Sequence, residues 1–300
     1  MPDLRLNKSQ SRLICLLVYV VAAAVAFAVG RVVNRGSPLW TAAAADLAAT
    51  VVVFVFSLIL DNSSVYDPYW SVAPLPILVY WLSAIQALSV RQVIVLALVA
   101  FWAARLTFNW LRRWHGLADE DWRYADYRRL GAGYWPVSFL GFHLFPTVIV
   151  FLGCLALLPV FLAGSRQFGV LDLLAIVVTL GAILTETTAD RELRKFLLNR
   201  AASGQVLSTG LWGLSRHPNY FGEVIFWWGL WLFGLAANPS WWWTIAGAVA
   251  VTGLFLGVSI PMMDARLLAR HPGYAELIGT RSAFIPLPPL RSRGAERRAL

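Results

Sequence analysis

The chain has 300 residues, of which 59% are hydrophobic and only 14% are charged. Soluble proteins are typically about 45–50% apolar and about 25% charged, so this composition excludes an ordinary soluble domain, a disordered chain and a collagen-like chain. The net charge of +9 is not carried by a basic soluble domain, which a nucleic-acid-binding protein would need. Cys15 and Cys154 both lie inside apolar runs, which predicts packing rather than a disulfide framework or a metal site.

Apolar runs predict eight membrane-spanning helices, because about 20 residues of helix cross a hydrocarbon core. The predicted spans are 13–30, 39–60, 72–89, 93–110, 137–163, 168–189, 221–237 and 241–260. The first run also fits the apolar part of a signal peptide, but its length favours a retained helix. We therefore predict an all-α polytopic bundle, with one transmembrane domain over 1–285 and a basic tail over 286–300.

The basic residues predict the orientation of these spans. When the N-terminus is placed in the cytoplasm, 20 of the 25 Lys and Arg residues fall on the cytoplasmic side. The positive-inside rule therefore favours eight crossings with both termini cytoplasmic. On this topology Arg123, Arg200 and the C-terminus face the cytoplasm.

Ionisable side chains inside a bilayer are costly and are candidates for functional sites. Asp46 stands alone early in its span, so a role in helix pairing or at the interface is as plausible as chemistry. Glu186 and Asp190 are spaced i, i+4 at the end of the sixth span, and Arg194 follows one turn later on the same face. These three residues fit either a solvated helix end with ion pairs or one wall of a polar site.

The segment SRHPNYFGE at 215–223 begins the seventh span. Pro218 suits the first turn of a helix, and Asn219 and Glu223 then share a face. Because the sixth and seventh spans are antiparallel, their polar ends can meet around one cavity. The predicted cluster contains Glu186, Asp190, Arg194, Arg216, His217, Asn219 and Glu223. A helix N-terminus beside Arg216 favours an anion such as phosphate, although His217 also fits a simple helix cap.

A third group of polar residues lies in YDPYWS at 66–71, between the second and third spans. This connection contains no Lys or Arg. Four of its side chains can line a pocket that dips toward the membrane, namely Tyr66, Asp67, Tyr69 and Trp70. The alternative is a proline turn with aromatic residues at the membrane interface.

Three segments together resemble the steroid 5-alpha-reductase-like membrane proteins. They are ETTAD at 186–190, GLWGLSRHPNYFGEVIFWWG at 210–229 and PGYAELIGTRSAFIP at 272–286. The chain is most similar to the bacterial branch of that family, which also has a DPYWS segment, and the resemblance runs from about Tyr66 to Pro286. The resemblance implies a helical-bundle reductase of the bacterial inner membrane. It also implies NADPH bound near the cytoplasmic side and a lipid-like enone or alkene substrate.

The resemblance also assigns roles to individual residues. The polar groups on the cofactor side are expected to be Asp190, Asn219, Glu223, Tyr274 and Arg281. Glu186 departs from the steroid enzymes, which have an asparagine near this position. Their histidine and tyrosine of the last helix appear here as Met263 and Leu267, and these departures weaken the expectation of a steroid substrate. No GxGxxG motif occurs, so loop arginines and helix ends would have to bind the nucleotide.

Reduction of an enone needs a hydride donor and a group that polarises the carbonyl or protonates the developing carbanion. A carboxyl that is poorly solvated between apolar helices, with no positive charge nearby, has a raised pKa and suits this task. We therefore expect Asp67 or Tyr69 to polarise the carbonyl or to protonate the carbanion. The phenol of Tyr69 or Tyr66, which is protonated at neutral pH, is the alternative to the Asp67 carboxyl.

Two other classes of function stay open. Isoprenylcysteine carboxyl methyltransferases also show RHPxY followed by a glutamate, but their tails carry paired glutamates where this chain has Met262, Met263 and Asp264. An S-adenosylmethionine-dependent methyltransferase is therefore the second interpretation. A transporter or a non-enzymatic lipid-binding protein is the third. The expected partners are a hydrophobic small molecule and membrane lipids, not nucleic acid.

Overall fold

The computed structural model describes residues 6–33, 36–83, 85, 87–162, 166–199 and 205–289. These residues contain helices but no β-strand, and one isolated β-bridge pairs Ser215 with Ser282. In chain order the main helices are α1 (Lys8–Val33), α2 (Pro38–Ile59), α3 (Tyr69–Val72), α4 (Pro74–Leu82), α5 (Val90–Arg113), α6 (Arg128–Phe161), α7 (Val170–Asn199), α8 (Pro218–Ala237), α9 (Pro239–Arg270) and α10 (Tyr274–Thr280).

Seven of these helices are long and apolar enough to cross a membrane. Among the described residues, only the short helices α3, α4 and α10 of the main set fall outside this group. The finding confirms the predicted all-α polytopic bundle. The chain divides into two compact units, unit 1 (Met1–Arg166) and unit 2 (Gln167–Leu300). Arg200 and residues 290–300, which include most of the predicted basic tail, lie outside the described residues.

The prediction of one continuous span over 72–89 is wrong. The helix is interrupted at Ala73, and α4 ends at Leu82 after nine residues. Pro74 explains the interruption, because proline lacks an N–H group and its ring clashes with the carbonyl four residues earlier. The end of α4 nevertheless lies beside the start of α2, since Trp81 Nε1 donates a hydrogen bond to the Pro38 carbonyl at 3.4 Å.

Hydrogen bonds show which helix ends lie together in unit 1. Arg12 Nη2, near the start of α1, donates to the Leu111 carbonyl at the end of α5 at 2.6 Å. Just after α2, Asn62 Nδ2 donates to the Leu117 carbonyl at 2.9 Å, which places the end of α2 beside the same region. At the opposite end of the unit, Gln92 Nε2 near the start of α5 donates to a carbonyl near the end of α6 at 2.9 Å. Helices α1 and α6 therefore run in one direction, and α2 and α5 run in the opposite direction.

Two glycines allow α7 and α8 to approach closely in unit 2. A Cβ atom built on Gly222 would lie 2.8 Å from the Ala182 carbonyl oxygen and 2.7 Å from the Glu186 Cβ, and one built on Gly229 would overlap the Thr179 hydroxyl. Small residues at such positions let two helix backbones pack without an intervening side chain. This packing places Glu186 against the first turns of α8.

Candidate functional site

A charged cluster in unit 2 is centred on Asp264, near the end of α9. Its Oδ2 lies 3.0 Å from Arg216 Nη2 and its Oδ1 lies 2.7 Å from His217 Nε2. The hydroxyl of Tyr274, the first residue of α10, also donates to Oδ1 at 2.5 Å. One carboxylate therefore binds three of the side chains that the sequence points to. Asp264 itself was not predicted as a site residue.

The segment before α8 holds Arg216 and His217 in place through backbone contacts. Arg216 N donates to the Ser282 carbonyl at 2.9 Å, which forms the β-bridge noted above. The buried Ser215 hydroxyl accepts from His217 N at 3.1 Å and donates to the Phe284 carbonyl at 2.8 Å. The loop that enters α8 is therefore fastened to the chain that follows α10.

The Arg216 guanidinium has hydrogen-bonding capacity that the described residues do not satisfy. Its side chain is 9% exposed, yet Nε and Nη1 have no hydrogen-bond partner. The Nε of Arg281 and the Oδ1 of Asn219 are also buried without a partner. Leaving a buried donor unpaired is unfavourable, and more so for a charged group. These N–H groups lie beside the N-terminus of the 20-residue helix α8, so the arrangement fits an anionic ligand.

His217 and Tyr274 complete this cluster. His217 occupies the cap position of α8, but its side chain makes no capping hydrogen bond and instead contacts Asp264. Its ring is stacked on that of Tyr220, with centroids 5.2 Å apart and planes inclined by 9°. Burial and the hydrogen bond to the Asp264 carboxylate raise the pKa of Tyr274, so its phenol stays protonated.

The other predicted cofactor-side residues occupy more varied surroundings. Glu186 is buried at the contact between α7 and α8. Glu223 is also buried, and its Oε1 accepts from Trp227 Nε1 at 2.8 Å. Asp190 is partly buried, whereas Arg194 is exposed.

In unit 1 the tyrosines of the segment 66–71 are buried and hydrogen-bonded. Tyr69 donates to Asp46 Oδ1 at 2.7 Å, so Asp46 is paired with a residue of a neighbouring helix. The hydroxyls of Tyr66 and Thr147 are 2.8 Å apart, and the rings of the two tyrosines stack with centroids 5.1 Å apart. Burial raises the pKa of both phenols, which keeps them protonated.

Asp67 lies in different surroundings from its neighbours. The expectation that no positive charge is near it is wrong, because Arg123 Nη2 is 3.3 Å from its Oδ1. Tyr124 also donates to that oxygen, at 2.6 Å. Burial nevertheless raises the pKa of Asp67 to about 6, although Arg123 and the Tyr124 hydrogen bond each lower it. The carboxyl already has two partners from one distant segment, which fits a structural role better than that of a free proton donor.

Several residues of the two clusters could not be identified from the sequence, for different physical reasons. Arg123 is 56 residues from Asp67 along the chain, so no local pattern predicts their contact. Asp264 lies beyond the predicted last span, which ended at 260, whereas α9 continues to Arg270. His143 and Thr147 are both buried and lie in an apolar run of the sequence. A histidine inside such a run is the sequence feature that could have identified this polar cluster.

The residues of both clusters fall largely inside one family match. Residues 53–279 match a family described as a protein of unknown function, DUF1295. An uncharacterized protein of Schizosaccharomyces pombe is 26% identical over 249 residues, which cover 74% of this chain and 72% of the relative. No solved structure matches the chain. Since the family match covers well over half of the sequence, the chain belongs to the DUF1295 family.

Proposed function

We propose that the protein is a membrane reductase that transfers a hydride from NADPH to a carbon–carbon double bond of a hydrophobic substrate. The observation that carries the proposal is the Arg216 guanidinium, which is buried with two nitrogens unpaired beside the N-terminus of α8. Phosphate is a chemical partner for which this arrangement is suited, since it accepts hydrogen bonds and carries the negative charge that a helix N-terminus favours.

The donor set of unit 2 fits a phosphate-bearing cofactor. Arg216 and Arg281 supply unpaired N–H groups for phosphate oxygens, and Asn219 Oδ1 supplies an acceptor for a ribose hydroxyl or a carboxamide. When bound, a reduced nicotinamide supplies a hydride, and the protein binds, orients and excludes water. Asp264 fixes the direction of the Arg216 side chain through Nη2 and so leaves the other two nitrogens for the ligand.

Unit 1, taken by itself, contains buried phenols that are candidates for a proton donor. Reduction of a double bond places a hydride on one carbon and a proton on the other. The Tyr69 phenol is buried, protonated and held by Asp46, and the Tyr66 phenol stacks against it. We assign the proton donation to Tyr69 in preference to Asp67, because Arg123 and Tyr124 already occupy the Asp67 carboxyl.

The experiment that tests the proposal compares three ligands on the full-length protein purified in detergent. NADPH, NADH and S-adenosylmethionine are titrated separately, and binding is followed by calorimetry. We expect saturable binding of NADPH and weaker binding of NADH, because NADH lacks the additional phosphate on the adenosine ribose.

S-adenosylmethionine carries a carboxylate but no phosphate, and it should bind weakly or not at all. Saturable binding of S-adenosylmethionine without binding of NADPH would reject the reductase and favour a methyltransferase. The same preparation, supplied with NADPH and a panel of hydrophobic enones and alkenes, should oxidise the cofactor only when a reducible substrate is present.

A further inference from the structure

The anion site of unit 2 consists of polar atoms that no described residue pairs and that solvent does not reach. These atoms are Nε and Nη1 of Arg216, Oδ1 of Asn219 and Nε of Arg281, and each of them is buried. A phosphate oxygen has to come within about 2.7–2.9 Å of a guanidinium nitrogen to accept its hydrogen bond. A ligand therefore reaches these atoms only when part of unit 2 moves aside.

The segment 281–287, which follows α10, lies along the residues that lead into α8. The Ser282 carbonyl accepts from Arg216 N at 2.9 Å, and Leu287 N donates to the Leu214 carbonyl at 3.2 Å. These two contacts hold the segment next to Arg216 from one end to the other. Both of them are hydrogen bonds between backbone groups, so they do not depend on the side chains of the segment.

The side chains of this segment add little buried contact. The Phe284 carbonyl accepts from the Ser215 hydroxyl at 2.8 Å, and the Phe284 ring meets the Phe221 ring edge-on with centroids 5.4 Å apart. Ile285 and Leu287, in contrast, are each about half exposed. The segment is therefore attached to unit 2 mainly by backbone hydrogen bonds and by one aromatic ring.

Helix α10 is also a peripheral element of unit 2. Tyr274 is the one buried residue of its seven described residues, and its hydroxyl donates to Asp264 Oδ1 at 2.5 Å. The helix is joined to α9 through Pro272 and Gly273, which are both exposed, and a Cβ atom built on Gly273 would have nothing within 4 Å. Segments with few buried side chains open at a low cost in free energy, and moving lids are drawn from them.

We propose that α10 and the segment 281–287 together form a lid, which opens to admit the phosphate-bearing end of NADPH and then closes on it. The proposal rests on the proposed cofactor site. The lid turns at Pro272 and Gly273 and carries two residues of that site, Tyr274 and Arg281. Its return brings Arg281 against the ligand and restores the contact between Tyr274 and Asp264. A closing segment of this kind completes the binding site after the ligand has entered.

The hydrogen bonds lost when the lid opens differ in kind from those gained when an anion binds. Opening exposes the Ser282 and Phe284 carbonyls, and water replaces their hydrogen bonds at a small net cost. Nε and Nη1 of Arg216 are unpaired while the lid is closed, and a phosphate gives both of them an acceptor. Binding of an anion therefore offsets the cost of opening. A ligand without an anionic group gains none of these hydrogen bonds and leaves the lid closed.

The first test measures opening of the lid without any ligand. Amide hydrogen exchange of the full-length protein in detergent is followed by mass spectrometry. We expect Tyr274→Phe to speed exchange of the Arg216 and Leu287 amides at least about 3-fold, because the closed lid then lacks one hydrogen bond to a charged group. The matched control is Thr280→Ala, which removes a hydroxyl that donates to the Glu276 carbonyl within α10 at 2.8 Å, and it should leave both rates unchanged.

Two results of this test would overturn the lid. Unchanged exchange at Arg216 in Tyr274→Phe would show that α10 and the segment 281–287 do not move together. Faster exchange that extends to amides in the middle of α8 would show that the substitution loosens unit 2 as a whole.

The second test locks the lid with a disulfide bond. Ser215→Cys and Ser282→Cys are combined in a chain whose Cys15 and Cys154 are replaced by alanine. The two serines are paired in a β-bridge, and the spacing of bridged backbones, about 5 Å, is within the range that a disulfide spans. Association of NADPH is followed by stopped-flow fluorescence. We expect the oxidised protein to bind NADPH at least about 10-fold more slowly than the same protein after reduction with dithiothreitol.

The protein with Ser282→Cys alone, which cannot form this disulfide, is the control and should bind NADPH equally fast before and after reduction. Equal association rates in the oxidised and reduced forms of the double-cysteine protein would contradict the lid. If NADPH binds to neither form, the proposed cofactor is wrong, and the exchange test decides on its own whether the lid opens.

Discussion

Asp264 binds Arg216 through one nitrogen only. The distance from Oδ2 to Nη2 is 3.0 Å, and Nε and Nη1 of the same guanidinium are buried without a hydrogen-bond partner. The other oxygen of Asp264 is taken by His217 and Tyr274. The carboxylate therefore orients the guanidinium without using all of its donors. An arginine held in this way is preorganised for an acceptor, so little side-chain entropy is lost when that acceptor binds.

The buried carboxyl of Asp67 predicts a pH-dependent stability. Burial raises its pKa from an ordinary value near 3.8 to about 6, so the folded state binds the proton more tightly than the unfolded state. The contribution to stability is complete below about pH 4 and is lost as the pH rises through about 6. We expect the wild type to lose on the order of 2–3 kcal/mol relative to Asp67→Asn across this window.

Thermal unfolding of both proteins between pH 4 and pH 8 measures this difference. The amide oxygen that Asp67→Asn introduces can still accept from Tyr124, so the variant keeps the local contact. A constant difference in stability across the window would show that burial does not raise the pKa of Asp67.

Removal of the Tyr69 hydroxyl should affect turnover and not cofactor binding. We expect Tyr69→Phe to lower the rate about 10²–10⁴-fold, the range for loss of a general acid, with unchanged affinity for NADPH. Asp67→Asn should retain most of the activity. Tyr80→Phe, a tyrosine of α4 outside the polar cluster, serves as the control. Near-normal turnover in Tyr69→Phe would remove this phenol as the proton donor.

The contact between α7 and α8 should depend on Gly222. We expect Gly222→Ala to destabilise unit 2 by about 1–3 kcal/mol, because the added Cβ would lie 2.8 Å from backbone atoms of α7. Gly253→Ala in α9, where nothing lies within 4 Å of the new Cβ, should be neutral or slightly stabilising. Equal melting temperatures of the two variants would contradict the close helix packing.

The proposed topology predicts which segments face the cytoplasm. After replacement of Cys15 and Cys154 by alanine, a single cysteine at Ala118, in the same loop as Arg123, should react with an impermeant reagent only when the cytoplasmic face is open. A cysteine at Ser240, between α8 and α9, should react from the outside. Labelling of the Ala118→Cys protein in intact cells would overturn this orientation.

Much of the helical framework could be predicted from apolar runs, because a membrane helix of about 20 residues leaves a clear pattern. The interruption of the predicted span over 72–89 could not be predicted from hydropathy, because the apolar run is continuous across Pro74, where the helix breaks. The meeting of the polar ends of α7 and α8 could be predicted, because Glu186 lies near the end of one span and Glu223 lies at the start of the next, antiparallel span. The contacts of Asp264 could not be predicted from the sequence, because they depend on how α9 and α10 pack against the start of α8.

The central claim is that Arg216 binds a phosphate of NADPH. Its most direct test is the dissociation constant of NADPH for Arg216→Ala measured by calorimetry on the purified protein, with Arg191→Ala, an exposed arginine of α7, as the matched control. We expect Arg216→Ala to weaken binding by about 1–3 kcal/mol, the range for a hydrogen bond to a charged group, and Arg191→Ala to bind as the wild type does. Unchanged affinity in Arg216→Ala would contradict the proposed cofactor site.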